Sequence, residues 1–235
     1  SDVYKRQILN ISTKTGVVIA LTFLLATPYI PTTVEVLVEE ATEEQLAQYF
    51  ITVILLMDVS FSMNYSDIKP TRLEISKTMS KLLIDKMNPR DLVGFMSFAG
   101  QIHDTASPTA NRTEITEKID NQTLHPSTAI GTALKTAIGM LETYPVGGKA
   151  IVLFSDGKNN FGVDIASAVV EAIGLKIPIF TVSVGTYGLW EANPLVLREI
   201  SSRTGGKFFE VRNEEIESLA TSISQICHGI KVGAL

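Results

Sequence analysis

Cysteine, histidine and clustered basic residues are scarce in this chain of 235 residues. The single cysteine, Cys227, excludes an internal disulfide and a cysteine-rich zinc site. The three histidines, His103, His125 and His228, do not have the spacing of a metal-binding motif. Lysine and arginine (20) are fewer than aspartate and glutamate (25), and no basic tract occurs. Nucleic acid is therefore not expected as a partner.

Proline and glycine are also too few for a disordered or fibrous chain, at 9 and 16 residues, while 45% of the residues are hydrophobic. The length allows one sizeable core, or one domain with an appendage. Charged residues make up only 19% of the chain, below the roughly 25% typical of soluble domains. The apolar excess lies largely in residues 15–30.

Residues 15–30 read TGVVIALTFLLATPYI and carry no charge. As a helix they would reach about 24 Å, short of the roughly 30 Å hydrocarbon core, but Lys14 could snorkel and lengthen the span. We interpret the segment as a transmembrane anchor. Two alternatives stay open: a signal peptide, although small residues are not placed for cleavage, and a buried core helix closed by Pro28 and Pro31.

Basic residues lie on only one side of this segment. Lys5, Arg6 and Lys14 precede it, and the next basic residue is Lys69. The positive-inside rule then predicts a domain outside the cytoplasm, attached to the cell membrane. We divide the chain into an arbitrary start with a positive flank (1–14), the anchor candidate (15–30), an acidic linker (31–50), one domain (51–228) and a tail (229–235).

From residue 51 onward, the sequence alternates between strand and helix patterns. Continuous apolar runs predict buried strands at 51–58, 91–99, 149–156, 176–185 and 205–211, with a short hairpin partner at 101–106. Helical spacing predicts helices at 71–87, 111–119, 128–141, 164–173, 194–202 and 216–227, the last one burying Cys227. The fold class is therefore α/β: a doubly wound, mostly parallel six-stranded sheet with helices on both faces, preceded by a hydrophobic N-terminal helix.

Acidic and hydroxyl side chains collect where the predicted strands end, which is where open α/β sheets bind ligands. The set comprises Asp58, Ser60 and Ser62 after the first strand, Ser127 and Thr128 at the start of a helix, and Asp156 after a later strand. In an extended segment, residues two apart point the same way, so the first three could share one point in space. Two carboxylates with three of these hydroxyls suit Mg²⁺, with Mn²⁺ as the alternative.

Each of these residues also has an ordinary structural interpretation. Asp58 could cap a loop, Ser60 and Ser62 could bond to the backbone, and Thr128 could be a helix N-cap. For each residue alone, that interpretation is the better one. The prediction of a metal site depends on all three segments meeting at one edge of the sheet.

Three segments, LLMDVSFSM, STAIGTAL and LFSDGKNN, resemble the motifs of the metal-ion-dependent adhesion site in von Willebrand factor type A domains. The resemblance covers residues 51–228, with the motifs in family order. It implies that the metal is bound directly by the hydroxyls and either directly or through water by the carboxylates. The implied ligands are Asp58, Ser60, Ser62, Thr128 and Asp156.

This sequence departs from the family pattern in two loops. Phe61 stands where the family often has glycine, and Pro126 and Ser127 replace the usual glycine pair before Thr128. Neither departure removes a ligand oxygen. Both could reshape the loops and weaken the affinity for metal.

The segment TRLEISKTMSKLLIDKMNPRDLVGFMSFAG, together with the preceding apolar segment, resembles prokaryotic membrane-anchored type A domains of the Bat (aerotolerance-related) group. That likeness implies membrane helices on both sides of the domain. It also implies other membrane type A proteins and a MoxR-type ATPase system as partners.

The main rival function is a Mg²⁺-dependent phosphoryl hydrolase of the haloacid dehalogenase type. Such enzymes need a second carboxylate two residues after the first as general acid, and Ser60 cannot act as one. Lys158 is the nearby candidate for a phosphate-binding lysine. No G-x-S-x-G elbow supports a Ser-His-Asp hydrolase, and no G-x-G-x-x-G supports a dinucleotide site. A type A fold with a vestigial metal site is the third alternative.

We therefore predict a protein-binding module without enzymatic activity, which captures an exposed Asp or Glu of a partner protein through bound Mg²⁺. Aromatic and apolar residues of the surrounding loops would form a rim that excludes water from this contact. The predicted rim consists of Phe61, Met63, Tyr65, Phe161 and Trp190. For Phe161 and Trp190, packing beneath their own loops remains an equal alternative.

Overall fold

The computed structural model describes residues 50–144, 147–186, 192–211 and 216–233, all within one compact unit, Ala41–Leu235. The anchor candidate at 15–30, most of the linker at 31–50, and Trp190 lie outside the described residues. None of the helices in the described ranges is both long and apolar enough to cross a lipid bilayer.

Six strands form a single sheet in the order β3-β2-β1-β4-β5-β6. All neighbouring strands are parallel except β3, which pairs antiparallel with β2 at one edge. The strands are β1 (Ile51–Asp58), β2 (Leu92–Phe98), β3 (Ile102–Thr109), β4 (Gly148–Ser155), β5 (Ile179–Ser183) and β6 (Phe208–Glu210).

The central strand β1 shows why the apolar runs form strands in the middle of the sheet. All eight of its residues are buried, because helices cover both faces of the sheet. Alternate side chains point to opposite faces, so Leu55 and Met57 join one core and Ile54 and Leu56 the other.

Six α-helices are described. They are α1 (Arg72–Lys86), α2 (Arg112–Asp120), α3 (Ile130–Glu142), α4 (Ile165–Gly174), α5 (Pro194–Thr204) and α6 (Ile216–Gly233). Helices α1, α2 and α6 pack against one face, and α3, α4 and α5 against the other. Local signals match their ends: the Thr71 side chain accepts from the Glu74 N–H at the start of α1, and Gly205 takes a left-handed conformation after α5.

The prediction of a six-stranded, mostly parallel sheet with helices is confirmed. Boundaries differ where the sequence is polar: the hairpin partner predicted at 101–106 extends to Thr109, and the last strand shortens to Phe208–Glu210. The last helix runs to Gly233, so the predicted tail at 229–235 begins inside it. Cys227 is buried, as predicted.

The strand order has a switch point at the carboxyl end of β1. After β1 the chain continues to β2 on one side, while β4 lies on the other side of β1. Open α/β sheets bind ligands at such a point, between the loops that follow the two neighbouring strands. The predicted site residues lie on the loops at this end of the sheet.

Candidate metal centre

Asp58 is the last residue of β1 and is completely buried. Its Oδ1 accepts a hydrogen bond from the Ser60 N–H at 2.9 Å, and its Oδ2 accepts one from the Ser155 hydroxyl at 2.6 Å. Burial and, next in size, the charge of Asp156 raise the pKa of Asp58 to about 7, although hydrogen bonds from Ser155 and Ser60 oppose this shift. Asp58 thus caps its loop, and its negative charge is repelled by that of a second buried carboxylate.

Ser60 and Ser62 bring their hydroxyl groups together, with the two Oγ atoms 3.1 Å apart. The backbone reason differs from the prediction of an extended segment, because residues Phe61–Asn64 form a short 3₁₀ helix. Ser60 is buried and Ser62 is half-buried. Their hydroxyls bond to each other, so the predicted convergence of the two side chains holds despite the different backbone.

Asp156 follows β4 directly and is completely buried. Its Oδ1 accepts from the Lys158 N–H at 3.0 Å, and its Oδ2 accepts from Arg72 Nη1 at 2.8 Å. The next residue, Gly157, has a φ of +81°, and a Cβ there would lie 2.1 Å from the Asn193 carbonyl oxygen. Only glycine therefore permits the turn that holds Asp156 in place.

Thr128 is buried but is not the N-cap of a helix. Helix α3 begins at Ile130 with Ala129 as its N-cap, so the start predicted at residue 128 is two residues early. The Thr128 N–H donates to Asn160 Oδ1 at 2.9 Å, and the Thr128 carbonyl accepts from the Asn160 N–H at 3.0 Å. Ser127 beside it has a φ of +66° and is exposed.

The loops that carry these residues are bonded to one another. The His125 N–H donates to the Val59 carbonyl at 2.8 Å, and the His125 ring stacks on His103 with centroids 3.6 Å apart. On the other side, Asn159 Oδ1 accepts from the Ile130 N–H at 2.8 Å. The loop before α3 is thus fixed both to the loop after β1 and to the loop after β4.

The donor set fits a divalent cation of the Mg²⁺ type. Two buried carboxylates and three hydroxyls offer only oxygen, and the mutual repulsion of Asp58 and Asp156 is what such a cation would relieve. Within the described part of the chain, no three His, Cys, Asp or Glu side chains cluster so that they could hold a metal ion.

The residues of the predicted rim differ in exposure. Phe61 and Phe161 are exposed, at 60% and 61% of their surface, and Tyr65 at 37%. Met63 does not belong to the rim, and that prediction is wrong: the 3₁₀ helix turns its side chain into the core beneath the loop, where it is fully buried. The position of Trp190 lies outside the described residues.

The sequence reasoning missed three residues that shape the site. Arg72, the first residue of α1, is completely buried and binds both Asp156 and Asp67. Burial alone would raise the pKa of Asp67, but the hydrogen bonds from Arg72 and the Thr186 N–H, with the charge of Arg72, lower it. Ser155, which looked like an ordinary strand residue, donates to Asp58.

Comparisons with known proteins agree with this architecture. A "UPF0353 protein" of Nocardia farcinica is 31% identical over 210 residues, which cover 74% of this chain and 62% of that protein. The chain thus spans about 60% of the length of such relatives.

Two solved structures share the fold at 24% identity. One is an aerotolerance-related membrane protein from Bacteroides fragilis, with a TM-score of 0.67 over 76% of this chain and 99% of that one. The other is the BatB protein from Bacteroides thetaiotaomicron, with a TM-score of 0.65 over 77% and 98%. The sequence model of the von Willebrand factor type A domain matches residues 52–223. On this match, which runs from the second residue of β1 into α6, the chain belongs to the von Willebrand factor type A domain family.

Proposed function

We propose that this domain is a Mg²⁺-dependent protein-binding module, in which the bound ion captures an Asp or Glu of a partner protein. One observation carries the proposal. Asp58 and Asp156 are both fully buried at adjacent strand ends, and burial together with Asp156 raises the pKa of Asp58 to about 7. Arg72 pairs with Asp156 but also with Asp67, so one guanidinium faces three carboxylates and leaves negative charge that a bound divalent cation would compensate.

The hydroxyls of Ser60, Ser62 and Thr128 would hold the ion directly, and Asp58 and Asp156 directly or through water. Mn²⁺ suits the same oxygen donors. When Asp58, Asp156 and Asp67 are all ionised, these three carboxylates and the one guanidinium of Arg72 have a net charge of −2, which balances one divalent ion. The three hydroxyls add no charge. When bound, the ion supplies a positive centre with exchangeable water positions, one of which an acidic side chain can take.

The exposed aromatic residues support a protein as the partner. Phe61 and Phe161 lie on the loops that carry Ser60, Ser62 and Asp156, and more than half of each side chain is exposed. Tyr65 follows the same 3₁₀ helix. Apolar groups around an ionic contact exclude water and strengthen it, as at the centres of protein interfaces.

We propose binding without catalysis. The position two residues after Asp58 holds Ser60, which cannot serve as the general acid of a phosphoryl hydrolase. Both oxygens of Asp58 already accept hydrogen bonds, from Ser60 and Ser155, which suits a fixed ligand better than an attacking nucleophile.

For the whole protein we propose a place in the cell membrane with the domain outside the cytoplasm. Residues 15–30 would be the anchor, and the flank with Lys5, Arg6 and Lys14 would stay inside. The described fold resembles that of an aerotolerance-related membrane protein. Other membrane type A proteins, linked to a MoxR-type ATPase system, are the partners that the Bat likeness suggests.

A capture experiment tests the binding function. The full chain, tagged and immobilised, is expected to retain a partner from solubilised membranes in Mg²⁺ and to release it in EDTA. Thr128→Ala should abolish retention, because it removes one hydroxyl of the set. Thr136→Ala, which removes an exposed hydroxyl further along α3, serves as the control and should retain the partner. Retention that survives both EDTA and Thr128→Ala would contradict the proposal.

A protease experiment tests the location. If the domain lies outside the cytoplasm, protease added to intact spheroplasts should digest it. Digestion that requires a permeabilised membrane would reverse the orientation.

A further inference from the structure

We propose that Arg72 is a positioning residue for the candidate metal centre: it fixes the orientation of Asp156 and ties that carboxylate to the loop that follows β5. This inference rests on the proposed function. It extends the proposed function by assigning a role to a buried arginine that contacts a candidate ligand.

The guanidinium group of Arg72 joins two carboxylates in one rigid unit. Nη1 donates to Asp156 Oδ2 at 2.8 Å, while Nε and Nη2 donate to the two oxygens of Asp67 at 2.8 and 2.9 Å. The Arg72 and Asp156 side chains are 0% exposed and that of Asp67 is 2% exposed. Because the guanidinium is planar and its donors are fixed, the orientation of Asp156 follows from the pairing with Asp67.

Arg72 also holds the segment that carries Ser62. Its Nη1 lies 3.4 Å from the Ser62 carbonyl oxygen, and its backbone N–H donates to the Tyr65 carbonyl at 3.0 Å. The guanidinium carbon stands 5.2 Å from the centre of the Tyr65 ring. One arginine thus connects the loop after β1 to the loop after β4, and a candidate ligand lies on each.

The same unit reaches the end of β5. The Thr186 N–H donates to Asp67 Oδ2 at 2.7 Å. Gly185 beside it has a φ of +139°, and a Cβ there would lie 2.8 Å from the Arg72 guanidinium carbon. A glycine is therefore needed for the chain to pass this close to Arg72. Through these contacts, we expect a change in how Asp156 is held to reach the segment at residues 185–186.

A positioning role and a simple counter-charge predict different results for a lysine at this place. Lysine keeps the positive charge, but one ammonium group cannot present the fixed fork that serves Asp67 and Asp156 together. If charge alone mattered, Arg72→Lys would bind Mg²⁺ like the wild type. If positioning matters, Arg72→Lys and Asp67→Asn should both weaken binding.

Calorimetric titration of Mg²⁺ into the full chain tests this inference. For Arg72→Lys and Asp67→Asn we expect the Kd for Mg²⁺ to rise about tenfold or more, as when outer partners of metal ligands are lost. Arg112→Lys is the matched control, because Arg112 donates to backbone carbonyls at the other end of the sheet. Its Kd should stay within about twofold of the wild-type value.

A second measurement on the wild type does not depend on any variant folding. Amide hydrogen exchange should slow at Thr186 when Mg²⁺ is added, whereas the Asn111 amide, which donates to Thr109 Oγ1 at the opposite end of the sheet, should change little. Wild-type Kd values in folded Arg72→Lys and Asp67→Asn overturn the inference. So does unchanged exchange at Thr186 in the Mg²⁺-bound wild type, which decides the matter if both variants fail to fold. A wild type that does not bind Mg²⁺ overturns the proposed function itself, and the inference with it.

Discussion

A buried aspartate lies at each end of the central strand β1, Asp91 at its start and Asp58 at its end, and the surroundings of the two differ. At the start of β1, Asp91 accepts hydrogen bonds from the backbone N–H groups of Ile51 and Asn88, both at 3.1 Å. There, Arg112 donates to the backbone carbonyls of Asn88 and Asp91. At the other end, roughly 23 Å away, Asp58 lies beside a second buried carboxylate, Asp156.

The comparison shows what separates a structural aspartate from a candidate ligand. Burial is common to both, since Asp58 and Asp91 are 0% and 2% exposed. Backbone N–H groups donate to both oxygens of Asp91, so this carboxylate stabilises the turn before β2. Asp58 instead shares its surroundings with Asp156, and this neighbour, added to burial, raises its pKa to about 7. Arg72 is shared between Asp156 and Asp67, so this end of the strand keeps negative charge that a bound cation would compensate.

The largest expected difference between the two ends is in stability without metal. Asp91→Asn should lower the free energy of unfolding by about 1–3 kcal/mol. The NH₂ group of the asparagine would face a backbone N–H and could not accept its hydrogen bond. Asp58→Asn should not lower it at pH 8, since it removes a buried charge beside Asp156. Urea unfolding of the full chain in EDTA measures both. An equal loss of stability in the two variants would contradict the proposed difference between Asp58 and Asp91.

The second expected effect is a pH dependence that only the Asp58 end shows. The pKa of Asp58 rises from 3.8 in the unfolded chain to about 7 in the folded one. The metal-free fold therefore loses stability as the pH rises from about 4 through about 7. Mg²⁺ must displace the proton, so its affinity should rise about tenfold per pH unit below pH 7 and level off above it.

Melting curves between pH 5 and 8, with and without Mg²⁺, check this prediction against Asp58→Asn. Comparing the wild type with Asp58→Asn separates the contribution of Asp58 from that of His103. Burial and the charge of His125 lower the pKa of His103, so its contribution to stability changes with pH in the opposite direction. If Asp58→Asn shows the same pH slope as the wild type, the slope does not come from Asp58.

The smallest expected effect compares two buried serine hydroxyls. Ser155 donates to Asp58, and Ser224 donates to the Lys86 carbonyl at 2.8 Å near the start of β1. Either serine changed to alanine should cost about 1 kcal/mol of stability. Only Ser155→Ala should also raise the pKa of Asp58 further and weaken Mg²⁺ binding, which carboxyl NMR titration and calorimetry measure. Equal metal binding by both variants would assign Ser155 a purely structural role.

The fold could be predicted from sequence because its signals are local. The apolar run of β1 and the alternation of strands and helices depend on neighbours a few residues apart. Asp58 and Asp156 could be placed at one edge because parallel strands end at the same edge. Met63 was misplaced because the short 3₁₀ helix that turns it inward has no clear sequence signal.

Arg72 could not be found in this way, because its partner Asp156 lies 84 residues further along the chain. An arginine at the start of a predicted helix looks like a solvent-exposed residue. Asp67, five residues before it, and Gly185, at the end of a strand, were the available hints. Each becomes meaningful only when the sheet brings β4 and β5 beside β1.

Isothermal titration of Mg²⁺ into the full chain at pH 8 tests the central claim most directly. The account predicts one ion bound per chain in the wild type and in Asp91→Asn, and no measurable binding in Asp58→Asn. At a Mg²⁺ concentration of about 100 times Kd, the bound ion should add about 2.7 kcal/mol to the free energy of unfolding. No binding by the wild type, or equal binding by Asp58→Asn, would contradict a metal centre at this edge of the sheet.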